Sequence, residues 1–126
     1  MGPLHKTIFV VEDDPSIRLS FERLLEQHGF ATEMFDSVED FQERADLARP
    51  QCLVLDIMLK NRSGIDLRRE LTRAGVSIPV IFVTATDSDR LRQAAINSGC
   101  VACLTKPFPA KSLIGAINKA TGLNPS

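Results

Sequence analysis

Leu53-Val54-Leu55-Asp56 decides the fold: three large apolar residues in a row, ended by a carboxylate. A strand with one wet face alternates apolar and polar residues. A continuous apolar run instead belongs to a strand covered on both faces, as in a parallel sheet. Working outward, Thr7 to Val11 leads into Glu12-Asp13-Asp14 on the same plan, and Ile81-Phe82-Val83 leads into Thr84. Leu104-Thr105-Lys106-Pro107 is a shorter version. Open α/β sheets carry their chemistry beyond the carboxyl ends of the strands. Glu12, Asp13, Asp56, Thr84 and Lys106 are therefore expected along one edge.

Helical periodicity fills the intervals. Asp14-Pro15 supplies an N-cap and a proline at the first helical position. Ile17, Phe21, Leu24 and Leu25 then share a face, and Gly29 ends the helix. Phe30 to Phe35 reads as a second strand. Ser37 with Asp40 resembles a capping box for a helix to about Ala48, stopped by Pro50. The third strand is Cys52 to Asp56, and Ser63-Gly64 turns into a helix carrying Ile65, Leu67 and Leu71. Ile78 to Val83 is the fourth strand, and Asp87 is expected to cap a helix closed by Gly99. Val101 to Leu104 is the fifth strand. Leu113, Ile114 and Ile117 mark the last helix, with Gly115 lowering its propensity by up to ~1 kcal/mol.

Five strand–helix alternations imply right-handed crossovers and helices on both faces. The expected fold class is α/β, a doubly wound five-stranded parallel sheet in the flavodoxin-like order 2-1-3-4-5. That order puts Glu12 and Asp13 beside Asp56. The 126 residues suit a single domain, 1–126, with a core over 6–122 and residues 1–5 as a possible leader.

Composition excludes several classes. Fifteen Lys and Arg against 16 Asp and Glu leave a formal net charge of −1. That argues against nucleic-acid binding by bulk charge. No apolar run approaches the ~20 residues that cross a bilayer, and the N-terminus lacks a signal-peptide pattern. A cytoplasmic location is the default expectation. Cys100-Val101-Ala102-Cys103 formally matches C-x-x-C. Cys52, His5 and His28 lack the spacing of further zinc ligands, and Cys103 falls within a strand. Buried free thiols are the expectation.

The chemistry centres on the carboxylates. Two unit charges about 4 Å apart interact by ~4 kcal/mol at an effective dielectric of ~20. Crowded acids therefore need a cation or a raised pKa. Lys106 supplies one positive charge, and Mg²⁺ would supply two more through oxygen ligands. Asp14 can cap the helix while Glu12 and Asp13 serve the site. An aspartate ending an apolar strand, as Asp56 does, can act as nucleophile and form an aspartyl-phosphate. Thr84 offers a hydroxyl to a phosphoryl oxygen. A cis bond at Lys106-Pro107 would turn the lysine toward the crevice.

The ordered set Glu12-Asp13, Asp56, Thr84 and Lys106-Pro107-Phe108 resembles the response-regulator receiver domain of two-component signalling. The resemblance runs from Lys6 to about Gly122 and is nearest the nitrogen-fixation subgroup. Arg18 and the Ser63-Gly64-Ile65-Asp66-Leu67 turn also fit. It implies Asp56 as phosphoacceptor, Asp13 as a direct Mg²⁺ ligand, and Glu12 as holder of a metal-bound water. It further implies Met58 as donor of a backbone carbonyl to the metal, and Thr84 and Lys106 as phosphoryl-binding residues. The implied partners are a histidine kinase or histidine phosphotransfer protein and a downstream output domain or protein, with dimerisation on phosphorylation possible. Such a domain catalyses only its own phosphoryl transfer and loss, and does not itself bind nucleic acid.

Two positions depart from the family. Where many receivers carry an aromatic switch residue, three residues before the lysine, this chain has Cys103. Where they often have proline, four residues after the phosphoacceptor, it has Lys60, followed by Asn61 and Arg62. The main alternative is a receiver-fold interaction module independent of phosphorylation, although no acid or lysine of the set is missing. A phosphatase of the haloacid-dehalogenase type would need an aspartate where Met58 stands. A nucleotide-binding domain would need a Gly-rich loop after the first strand.

Overall fold

The computed structural model describes residues 6–60 and 62–122, so the expected leader at residues 1–5 lies outside it. Five strands, β1 (Thr7–Val11), β2 (Ala31–Phe35), β3 (Cys52–Asp56), β4 (Val80–Thr84) and β5 (Ala102–Thr105), alternate with five helices. These are α1 (Pro15–Gln27), α2 (Val38–Arg44), α3 (Gly64–Arg73), α4 (Asp89–Asn97) and α5 (Ala110–Thr121). All pairings are parallel and the order is β2-β1-β3-β4-β5, as the apolar runs require.

Alternation along each strand divides the interior in two. Phe9, Leu53, Leu55, Val80 and Phe82 face one way, onto Phe41 of α2, Leu67 and Leu71 of α3 and Ala95 of α4. Ile8, Val10, Val54, Ile81 and Val83 face the other way, onto Phe21 and Leu25 of α1 and Leu113 and Ile117 of α5. Each β3 position from Cys52 to Leu55 is completely buried. At ~25 cal/mol per Å² of apolar surface, this two-sided burial holds the central strands as a rigid base for whatever their ends carry.

Several boundaries differ from the sequence expectation for local reasons. Helix α2 stops at Arg44 rather than near Ala48. There the Asp46 side chain accepts from the Ala48 N–H (3.1 Å), giving the backbone a turn in place of a helical bond. Ser37 does accept from the Asp40 N–H (3.0 Å), but the Asp40 carboxylate returns to the Asp36 N–H (3.1 Å) and so caps one residue earlier. Ser88, not Asp87, caps α4. Strand β4 begins at Val80 rather than Ile78, after Pro79, which has no N–H to offer the ladder. Strand β2 begins after Phe30, whose N–H still closes α1 onto the Leu25 carbonyl (3.0 Å). Strand β5 is shifted by one residue and includes Thr105. Helix α5 continues through Gly115.

Candidate functional site

The crevice forms where β1, β3 and β5 deliver their last residues. Glu12 follows β1, its N–H donating to the Phe35 carbonyl (3.0 Å) and its carbonyl accepting from Arg18 Nη1 (2.9 Å). Its side chain is only 1% exposed. Asp14 turns away and caps α1, accepting from the Ser16 and Ile17 N–H groups (2.8 and 3.1 Å). The acidic triple thus divides as expected, one residue to the helix and two to the crevice.

Asp56 ends β3 and is 5% exposed. Its Oδ1 accepts from the Met58 N–H (2.9 Å) and its Oδ2 from Lys106 Nζ (3.0 Å). Lys106 also donates to Glu12 Oε1 (2.8 Å), bridging the two acids. The Lys106–Pro107 peptide is cis. Carboxylate oxygens of Glu12, Asp13 and Asp56 lie within 4.8 Å of one another.

Burial raises the Glu12 carboxyl above the ordinary glutamate range; the Lys106 hydrogen bond opposes this and the Asp56 charge reinforces it. Burial works to lower the Lys106 ammonium. Its hydrogen bonds to Glu12 and Asp56, with their charges, outweigh that and hold it above the ordinary lysine value. Three carboxylates therefore face one firmly protonated ammonium, so charge balance favours a further cation. The donors are all hard oxygens, a set that suits Mg²⁺ over zinc or copper. The residues present fit a divalent magnesium ion.

Thr84 and Cys103 stand outside this cluster of contacts, whereas Met58 enters it through its backbone N–H. Thr84 is fully buried at the end of β4, where its Oγ1 accepts from the Thr86 N–H (3.1 Å). Met58 has a 57% exposed side chain, and its backbone is bridged to Ser63 across the loop. Cys103 is half-buried opposite Phe82 in the β4–β5 register and packs against the core. All three cysteines are free. Burial pushes the Cys52 thiol up to about 12, which leaves it unreactive.

Sequence reasoning missed several contacts. Gly64 lies against β3: a Cβ there would sit 2.2 Å from the Asp56 carbonyl oxygen. Arg92 of α4 donates from Nη2 to Thr105 Oγ1, and Thr105 is paired with Thr84. The Lys60 N–H donates to Asp13 Oδ2 (3.1 Å). These partners are 13 or more positions apart or act through the backbone, so no residue spacing marks them. The Gly64 turn alone carried a signal, in Ser63-Gly64 at a helix start.

With this geometry in hand, comparison with known proteins places the chain. The family model described as the response regulator receiver domain matches residues 8–118. The chain belongs to the response-regulator receiver domain family. Among its relatives is the transcriptional regulatory protein TdiR of Thauera aromatica, 33% identical over 118 residues, covering 94% of this chain and 52% of that protein. Nodulation protein W of Bradyrhizobium diazoefficiens is 36% identical over 114 residues, covering 90% of this chain and 50% of its own. The chain thus spans about half the length of the curated relatives it matches. The crystal structure of FixJ-N superimposes with a TM-score of 0.83 at 28% identity, covering 98% of this chain and 99% of that one. Its similarity is consistent with the expected nitrogen-fixation subgroup. Among the described residues, no helix is long and apolar enough to cross a membrane.

Proposed function

We propose that this domain accepts a phosphoryl group from a phosphohistidine onto Asp56. One Asp56 carboxylate oxygen attacks phosphorus, the phosphorus–nitrogen bond breaks, and the imidazole leaves with the electron pair. Glu12, Asp13 and Asp56, with the Met58 backbone carbonyl, would hold Mg²⁺, which when bound offsets charge on the phosphoryl oxygens. Lys106 already contacts Asp56 Oδ2 and stays protonated, so it needs little movement to reach a phosphoryl oxygen. Thr84 Oγ1 accepts from the Thr86 N–H and keeps its own proton to donate to a phosphoryl oxygen, which ties phosphorylation to the segment between β4 and α4. The output is then a shift in populations of the α4–β5–α5 surface, read by an output domain or partner.

The single observation that carries this reading is the bridged Glu12–Lys106–Asp56 arrangement on a buried floor. A groove of about 360 Å³ beside it, lined by Ile17, Phe21, Leu24, Pro107 and Phe108, supports a donor protein approaching along α1. Asp56→Asn should abolish alkali-labile labelling by acetyl phosphate in Mg²⁺. Labelling of the variant at the wild-type level would remove Asp56 as acceptor. A wild-type protein that never labels, even with a phosphohistidine donor, would favour the phosphorylation-independent module.

A further inference from the structure

The loop from β3 to α3 has lost the family's frequent proline at Lys60, yet it is anchored at several points. At its start the Met58 N–H meets Asp56 Oδ1. In its middle the Lys60 N–H meets Asp13 Oδ2. At its far end Arg62 reaches outward to two helices. Its Nη2 pairs with Glu70 Oε1 of α3, and its Nη1 donates to Gln42 Oε1 of α2 (3.4 Å). Gln42 Nε2 donates in turn to Glu70 Oε2 (3.2 Å), which closes a ring of three side chains.

We infer that Arg62 is a positioning residue: its ring with Glu70 and Gln42 holds the loop so that the Lys60 amide orients Asp13 for a divalent cation. This deepens the phosphoacceptor reading and rests on it. An isolated, partly exposed ion pair contributes only about 0–1 kcal/mol, and its loss would leave a site several residues away unchanged. Here the pair is tied to a second helix, and Arg62 stands two positions along the sequence from the Lys60 amide that meets Asp13. Arg62 and Lys60 also line one small cavity, about 60 Å³, with Asp13 and Leu59. Partners that orient a metal's ligands typically contribute about 10–100-fold to affinity. Arg62 acts one step further out, so its removal should cost roughly threefold to tenfold.

The test is a Mg²⁺ titration followed by amide NMR, on the wild type, Arg62→Ala and Glu70→Ala. Both variants should show a shifted, faster-exchanging Lys60 amide before any metal is added. Both should need roughly threefold to tenfold more Mg²⁺ for half-saturation, with acetyl phosphate labelling at saturating Mg²⁺ near the wild-type rate. Glu70→Ala opens the ring from the other side and carries the test if Arg62→Ala does not fold. A folded variant with an unchanged Lys60 amide and unchanged Mg²⁺ affinity would overturn the positioning role. A wild type that binds Mg²⁺ but never labels overturns the phosphoacceptor reading, while the amide and affinity comparison still decides the role of Arg62.

Discussion

The two flanks of Asp56 are built differently. Toward β1, Glu12, Asp56 and Lys106 are already joined by two hydrogen-bonded ion pairs of 2.8 and 3.0 Å. Toward β4 and β5, each polar group is engaged with a neighbour: Thr84 with the Thr86 amide, and Thr105 with Arg92. The first flank is assembled before any ligand arrives. The second is tied to the β4–α4 segment and to α4, so a ligand that draws on it pulls on those elements. A site that binds on one side and rearranges on the other is what a switch needs, since only contacts that differ between states can shift a population.

Breaking the assembled flank should have the largest effect. Lys106→Met leaves buried Glu12 and Asp56 without their cation, and should destabilise the fold by about 3 kcal/mol in urea unfolding at pH 8. The loss should shrink as pH falls into the raised range of Glu12, where its protonation relieves the repulsion; a loss independent of pH would refute the charge argument. Gly64→Ala, which forces a Cβ against the Asp56 carbonyl oxygen, should cost about 2 kcal/mol by overpacking. It should also slow acetyl phosphate labelling, because β3 or the loop must move.

A third comparison uses pH alone. Glu12 has a raised pKa in the folded protein, so the native state binds more protons than the unfolded chain in that range. Stability should therefore fall as pH climbs from the ordinary glutamate value through the raised one. Glu12→Gln should flatten this segment of the pH–stability curve. Lys106 adds a second fall of the same sign at alkaline pH: its raised pKa gives stability that is complete below the ordinary lysine value and disappears as pH rises through the folded one. The smallest effect is expected on the other flank. Thr84→Val removes the acceptor for the Thr86 amide and should cost about 1 kcal/mol, with Mg²⁺ affinity within about twofold of wild type on the independence expected of separate sites. A larger loss of affinity would join the two flanks into one unit.

Much of this was legible in the residues. Strand β3 could be read to the residue, because a run buried on both faces has no polar position to blur its limits. Helix ends were less legible. Asp46 competes with α2 through its own side chain, and Ser88 rather than neighbouring Asp87 caps α4; either residue is a good N-cap by type. The acids and the lysine of the site could be named from strand ends alone. Thr84 could also be named, but not its bond to Thr86, since a hydroxyl rotates to whichever donor is near.

By itself, the sequence determined the parallel sheet, its edge of reactive residues and the likeness to receiver domains. Apolar runs and helical periodicity depend on local chemistry that the chain carries along its length. The tertiary structure alone decided which of those groups touch. Lys106 stands between Glu12 and Asp56, which lie 94 and 50 positions away in sequence. Arg62 ties a loop to two helices, and Arg92 reaches Thr105 from α4. Such contacts follow from the crossover topology and the register of neighbouring strands, which set distances that spacing along a chain does not encode.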